Sequence, residues 1–221
     1  MLELLQKRIV DCDRCPRLRA HCQAVAETKR RAYRNEEYWG RPVPSFGDPS
    51  ARLLIVGLAP GAHGANRTGR MFTGDASGDF LYSAMHATGW ASQPTSAHRG
   101  DGLTLIDCYI TAAARCAPPG NKPRPEELRR CRPYLIEELR LLKRVQVVVA
   151  LGRIAFDTCL SAFGAVKCRY VFAHDQLHEL AEGQPRLISS YHPSQQNTAT
   201  GRLTQPRLRD VFARAKIIVS T

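Results

Sequence analysis

The 221-residue chain carries 32 Lys+Arg against 20 Asp+Glu, a formal net charge of +12, with 43% hydrophobic residues; it has the apolar content for one packed core and a charge suited to a polyanion, most often nucleic acid. No apolar run approaches the ~18 residues of a membrane helix, and the opening "MLELLQKRIVDCDRC" lacks the apolar core and small-residue cleavage site of a signal peptide. These features argue against a membrane protein and a secreted one, and predict an intracellular monomer of one domain over residues 1–221, cytoplasmic and associated with the nucleoid.

Residues 1–40 read as a basic, helical segment that holds the pair Cys12-x2-Cys15, and "RPVPSFGDP" at 41–49 is a proline-rich connector. Short apolar runs bounded by Gly, Pro or charge then follow at 52–58, 103–111, 145–152 and 186–191, which predict four buried strands. Between and after them lie helical stretches at 77–88, behind an Asp/Ser cap region, at 125–143, opened by "PEEL", at 154–163, and at 205–219. Strands alternating with helices predict an α/β fold: three layers, α/β/α, around a central four-stranded parallel sheet. Ligands of such sheets sit outside the carboxyl ends of the strands. Two polar, glycine-bearing loops, 59–75 and 191–201, leave strands at that end and are expected to face one crevice.

In "GAHGANRTGRM", Gly64 and Gly69 have P-loop spacing, but Arg70 and Met71 stand where the lysine and hydroxyl residue belong, so a phosphate-cofactor loop is not expected. Each notable residue of the two loops has a plain reading by itself. Asp75 suits a helix cap, Phe72 a core aromatic and His192 a structural histidine.

The eight cysteines suit a reducing compartment better as thiols or metal ligands than as disulfides. Cys12 and Cys15, with Cys116 and Cys131 far downstream, supply four thiolates for zinc or an iron–sulfur cluster. A zinc ribbon would close with a second C-x2-C pair, which is absent here, so the spread-out spacing leans toward iron–sulfur. Cys108 and Cys159 lie in apolar surroundings and read as core, while Cys22 and Cys168 fit either reading.

Taken together, "CDRCPRL", "GLAPGAHGANRTGRMFTGD", "RCAPPGNKPRPEELRRC" and "HPSQQNTATGRLT" closely resemble the iron–sulfur uracil-DNA glycosylases of the fifth family, or B type, over almost the whole chain. The resemblance implies a four-iron four-sulfur cluster on Cys12, Cys15, Cys116 and Cys131, and hydrolytic removal of uracil and other deaminated bases from DNA. It makes Asp75 the principal catalytic carboxylate, with His192 at the pyrimidine oxygen where negative charge builds. Phe72 is expected to stack on the flipped base, Asn121 to contact its edge, and Gly57 and His63 to line the substrate pocket. The related fourth family has an acid early in the first loop and an asparagine where this chain has Ala112. That departure shifts the catalytic burden to Asp75 and predicts relaxed selectivity. A rival of another class is a basic metal-cluster protein that binds nucleic acid without cleaving it.

Overall fold

The computed structural model describes residues 1–220. In chain order, the elements are α1 (Leu2–Val10), α2 (Pro16–Thr28), β1 (Phe46–Gly47), β2 (Leu53–Gly57), α3 (Ala65–Thr68), α4 (Ala76–Ala87), β3 (Cys108–Ala112), α5 (Pro125–Leu141), β4 (Val147–Leu151), α6 (Arg153–Ala162), β5 (Gln176–His178), β6 (Arg186–Ser190), α7 (Gln195–Ala199) and α8 (Gln205–Ser220). No helix among these residues is long and apolar enough to cross a membrane.

The strands form one sheet in the order β1-β3-β2-β4-β6-β5. Its centre, β3-β2-β4-β6, is parallel, which matches the four strands expected from the apolar runs. The sheet is nevertheless six-stranded and mixed, because β1 and β5 add antiparallel edges. Both edges are too short for a period-2 pattern to register in the sequence, and short edge strands offer little template for unwanted pairing.

Because both faces of the sheet are covered, the central strands are mainly apolar, Thr111 of β3 and Arg186, Ser189 and Ser190 of β6 excepted, and their alternate residues enter different cores. On one side Leu53, Ile55, Ile110 and Val149 pack with Leu81 and Met85 of α4 and with Val211 and Phe212 of α8. On the other, Leu54, Val56, Val148 and Leu187 pack with Leu135 of α5 and with Phe156 and Leu160 of α6. These are the three layers expected. The N-terminal helices dock separately: Leu5 and Ile9 of α1 meet Tyr134 of α5, and Leu18 and Cys22 of α2 meet Cys116 and Ala117.

This strand order fixes the crevice. From β2 the chain crosses to β3 on one side, then returns to β4 on the other side of β2. The connections that follow β2 and β4 therefore diverge, α4 to one face and α6 to the opposite one, and a cleft opens between the carboxyl ends of these strands.

Candidate active site

Three glycines make room for one aromatic ring and one carboxylate at the end of β2. A Cβ on Gly57 would lie 2.7 Å from Phe72 Cζ, and Cβ atoms on Gly61 and Gly64 would lie 2.7 and 1.8 Å from Asp75 Oδ2. Phe72 itself sits in the left-handed region, at φ +53°, a conformation that an aromatic residue holds only when its surroundings impose it. A fourth glycine, Gly78, is part of that imposition, since a Cβ there would lie 1.9 Å from the Phe72 carbonyl oxygen.

Asp75 has two faces. Its Oδ1 accepts a 3.0 Å hydrogen bond from the Gly78 amide and caps α4, while Oδ2 lies against the Gly61–Gly64 turn. The cap contact of this residue therefore engages Oδ1 and not Oδ2. Burial raises its pKa above the usual carboxylate range, and the amides of Gly78 and Ser77 only partly oppose that.

His192 approaches from the end of β6. Its ring centroid lies 5.9 Å from that of Phe72 at an interplanar angle of 32°, so loops 59–75 and 191–201 do face one crevice. Asn197 Nδ2 donates to the His192 carbonyl at 2.9 Å, and a Cβ on Gly152, just after β4, would lie 3.2 Å from His192 Cβ. Burial lowers the imidazole pKa to about 4, so the ring is neutral at pH 7. Among the described residues it has no hydrogen-bond partner, which leaves its nitrogens available. A groove of about 320 Å³ runs beside it, lined by Leu58, Gly152, Phe172, Tyr191, Asn197 and Arg202, within the size range of small-molecule sites.

The other expected pocket residues lie differently. Gly57 seats the Phe72 ring. His63 accepts from or donates to Tyr38 Oη across 3.1 Å at Nδ1, and burial, followed by the charges of Arg30 and Arg67, lowers its pKa. Asn121 is exposed on a 3-10 turn after β3, at φ +57°, and no hydrogen bond or ring contact joins it to Phe72, Asp75 or His192. Ala112 is buried at the end of β3, in register with Gly57. Gly61 and Gly78 were not singled out from the sequence, and Gly64 only through the failed P-loop match, although the density of glycines in 57–78 was the available signal.

Cys12, Cys15, Cys116 and Cys131 line one pocket with Leu18, Arg115 and Tyr134, a small cavity of about 20 Å³. Among the described residues, no three Cys, His, Asp or Glu side chains are grouped tightly enough for a single metal ion. Burial pushes Cys131 up to about 11 and raises Cys15. At Cys12 burial acts the same way, but hydrogen bonding with Arg14 and Tyr134 outweighs it and lowers the thiol. Cys22 interacts with Cys116, which its hydrogen bond and burial together raise, whereas Cys168 is exposed and Cys108 and Cys159 are buried in the two cores.

The segment next to this pocket reaches the crevice. Exposed Arg30, Arg31 and Arg34 precede Trp39 and Gly40, whose amides donate to the carbonyls of Arg67 and Asn66 at 2.8 and 3.0 Å. Asn66 Nδ2 in turn donates to the Cys22 carbonyl at 3.3 Å. A basic strip is thereby fixed beside the loop that holds Phe72 and Asp75.

Comparison with known proteins identifies the family. The family model of the uracil DNA glycosylase superfamily matches residues 44–216. The chain is 53% identical to the type-5 uracil-DNA glycosylase of Thermus thermophilus, over 97% of this chain and 96% of that protein. It is 51% identical to that of Mycobacterium bovis, over 93% and 77%, and 30% identical to a type-4 enzyme of Pyrobaculum aerophilum, over 96% and 89%. With a sheet whose parallel centre carries the two loops at its carboxyl ends, and with matches that span the fold, the chain belongs to the uracil-DNA glycosylase superfamily and, within it, to the type-5 enzymes.

Proposed function

We propose that this protein removes uracil and other deaminated bases from DNA by hydrolysing the N-glycosidic bond, with Asp75 and His192 as its catalytic residues. The observation that carries this reading is that a neutral imidazole meets an aromatic ring of another loop, with a half-buried carboxylate three residues after that ring, the ring and the carboxylate both seated on glycines. A base inside a duplex is out of reach, so the nucleotide must be extruded, at a cost of a few kcal/mol. Stacking on Phe72 offsets part of that, about 1–3 kcal/mol for a base on an aromatic ring.

In the reaction, the bond from C1′ to the base nitrogen breaks and its electron pair leaves with the base. A water oxygen bonds to C1′, and the water proton passes to Asp75. While it is ionised, the Asp75 carboxylate also stabilises the positive charge that develops on the sugar. Its raised pKa brings it closer to neutral pH, where a general base is most effective. Neutral His192 donates an N–H to the pyrimidine oxygen that gains negative charge. Neither loop, 59–75 or 191–201, contains a lysine able to form a Schiff base, so the product is an intact strand with an abasic site.

Cys12, Cys15, Cys116 and Cys131 suit a four-iron four-sulfur cluster better than one zinc. Four thiolates on a single zinc stand only about 3.8 Å apart, and no three of these side chains are grouped tightly enough for one metal ion. Cys12 and Cys15 beside the N-terminal helices, Cys116 after β3 and Cys131 of α5 would hold the cluster, which would supply thiolate cross-links pinning those helices, and with them the basic strip at 28–34. No step of the hydrolysis passes through it.

The direct test incubates the protein with a duplex bearing one uracil, followed by alkali. Strand breaks at uracil alone support the reading, and binding without breaks favours a non-catalytic basic protein. Selectivity follows from Ala112, which offers no amide to a base edge. A bidentate contact of that kind discriminates by about 1–3 kcal/mol, so single-turnover excision of hypoxanthine, xanthine and hydroxymethyluracil should fall within roughly one to two orders of magnitude of uracil. A gap of about ten-thousandfold would mean that another residue supplies a hydrogen-bonded readout.

Gly64→Ala should lower uracil excision at least tenfold, because its methyl group would occupy the place of Asp75 Oδ2, and a displacement of ~1 Å costs up to 10²-fold. Excision at the normal rate by this variant would place the working carboxylate elsewhere.

A further inference from the structure

The segment between β2 and α4 is held from behind by a buried guanidinium that takes no part in the chemistry above. Arg70 is 4% exposed. Its Nη2 donates to Asp101 Oδ2 at 2.7 Å and to Ser96 Oγ at 2.9 Å, Nε donates to Thr73 Oγ1 at 2.9 Å, and Nη1 donates to the Arg99 carbonyl at 3.2 Å. Each nitrogen is thus used, on four acceptors in a fixed arrangement that a lysine ammonium could not match.

Asp101, also buried, is committed in the same way. Besides Arg70 it accepts from the amides of Ala97, His98 and Leu103 at 2.8, 3.3 and 3.1 Å. Burial alone would raise this carboxyl, but the hydrogen bonds from Arg70, Leu103 and Ala97 hold it down to about 2, so the pair stays ionised across the working pH range. The excursion from 92 to 104 closes on itself through an antiparallel bridge between Ala91 and Leu105, which makes it a fixed support.

This support, together with Arg67 and with Tyr82 of α4, holds the backbone on either side of Phe72. The Gly74 amide donates to the Ser96 carbonyl at 2.7 Å, Arg67 Nη2 donates to the Gly74 carbonyl at 2.9 Å, and Tyr82 Oη donates to the Met71 carbonyl at 3.0 Å. Phe72 needs such support to stay left-handed, and Asp75 follows three residues later. A well-packed apolar pair would serve stability as well as a buried ion pair does; the fork supplies directionality instead.

We propose that Arg70, oriented by Asp101, is a positioning residue for base excision: it fixes residues 71–74 so that the Phe72 ring and the Asp75 carboxylate meet the extruded nucleotide together. This rests on the reading that loop 59–75 carries out excision. The test is single-turnover kinetics at saturating enzyme, with duplex affinity measured in parallel. Arg70→Lys, which keeps the charge and loses the fork, should slow uracil excision roughly 10- to 100-fold, with duplex affinity changed less than about threefold. Asp101→Asn, which keeps the shape and loses the charge, should show the same split with a smaller fall. An unchanged rate in a folded Arg70→Lys variant, or a rate and affinity that fall in parallel, would overturn the proposal. If Arg70→Lys does not fold, Asp101→Asn decides by the same criterion. Absence of excision by the unaltered protein would instead overturn the reading of its function, so the two failures are distinct.

Discussion

Asp75→Asn is expected to slow single-turnover uracil excision by about 10²–10⁴-fold, the range for loss of a general acid–base group, while leaving duplex affinity near normal. The amide keeps the size of the carboxylate and its Oδ1 can still accept from the Gly78 amide, so α4 keeps its cap. It cannot take a proton from water or stabilise a cationic sugar. Stability should not fall with activity, and the sign follows from the pKa. Burial raises the folded-state pKa of Asp75 above its unfolded value, so its contribution to stability is present below the unfolded pKa and is lost as pH rises through the folded one. At neutral pH the ionised group is a burden, and the variant's melting temperature should equal or exceed that of the parent. The parent's excision rate should in turn fall on acidification at a pH above the ordinary carboxylate range, and that limb should be missing from the variant's residual activity. Near-normal turnover by Asp75→Asn would leave this residue a helix cap only.

Cys131→Ala should abolish the broad visible absorption of an iron–sulfur protein and lower the melting temperature by about 5–15 °C. That corresponds to losing a cross-link of about 2–4 kcal/mol, the scale of other covalent links that close long loops. Cys159→Ala should leave the colour intact and cost only packing, because Cys159 is buried between Leu160, Phe156 and the sheet. The comparison isolates ligation from burial, since both thiols are desolvated. A colourless parent protein holding stoichiometric zinc, or equal effects at the two positions, would count against the four-cysteine ligand set. Loss of the cluster should also loosen the basic strip, because α2 connects to the catalytic loop through the Asn66 contact with the Cys22 carbonyl. Hydrogen exchange at residues 61–75 should then rise in Cys131→Ala and stay unchanged in Cys159→Ala.

The amino-acid sequence by itself determined the layers of this fold. The runs now seen as β2 and β4 are apolar on both faces and those of β3 and β6 mainly so, a composition that suits strands covered on both sides; the helices that cover them carry their own start signals, such as Pro125 with Glu127 at the head of α5. It also marked two loops that the folded chain brings together, because glycine, aspartate and an aromatic at a strand end are a local signal. What it left open depends on contacts between distant segments. β1 and β5 are two and three residues long, and only pairing with β3 and β6 makes them strands. That Gly61 and Gly64 are seats for Asp75, that Gly57 admits the Phe72 ring, and that His192 meets this ring across the cleft are facts of close approach, in which a Cβ decides by an ångström or two. Asn121 reads as a base contact beside the family motif, yet its turn leaves it exposed, because the Pro118–Pro119 approach and the left-handed Gly120 and Asn121 direct the backbone. Arg70, which in the sequence only spoils a P-loop match, acquires its place from Asp101, thirty-one residues away. Periodicity reports which side of an element is buried, and only the folded chain settles which buried groups touch.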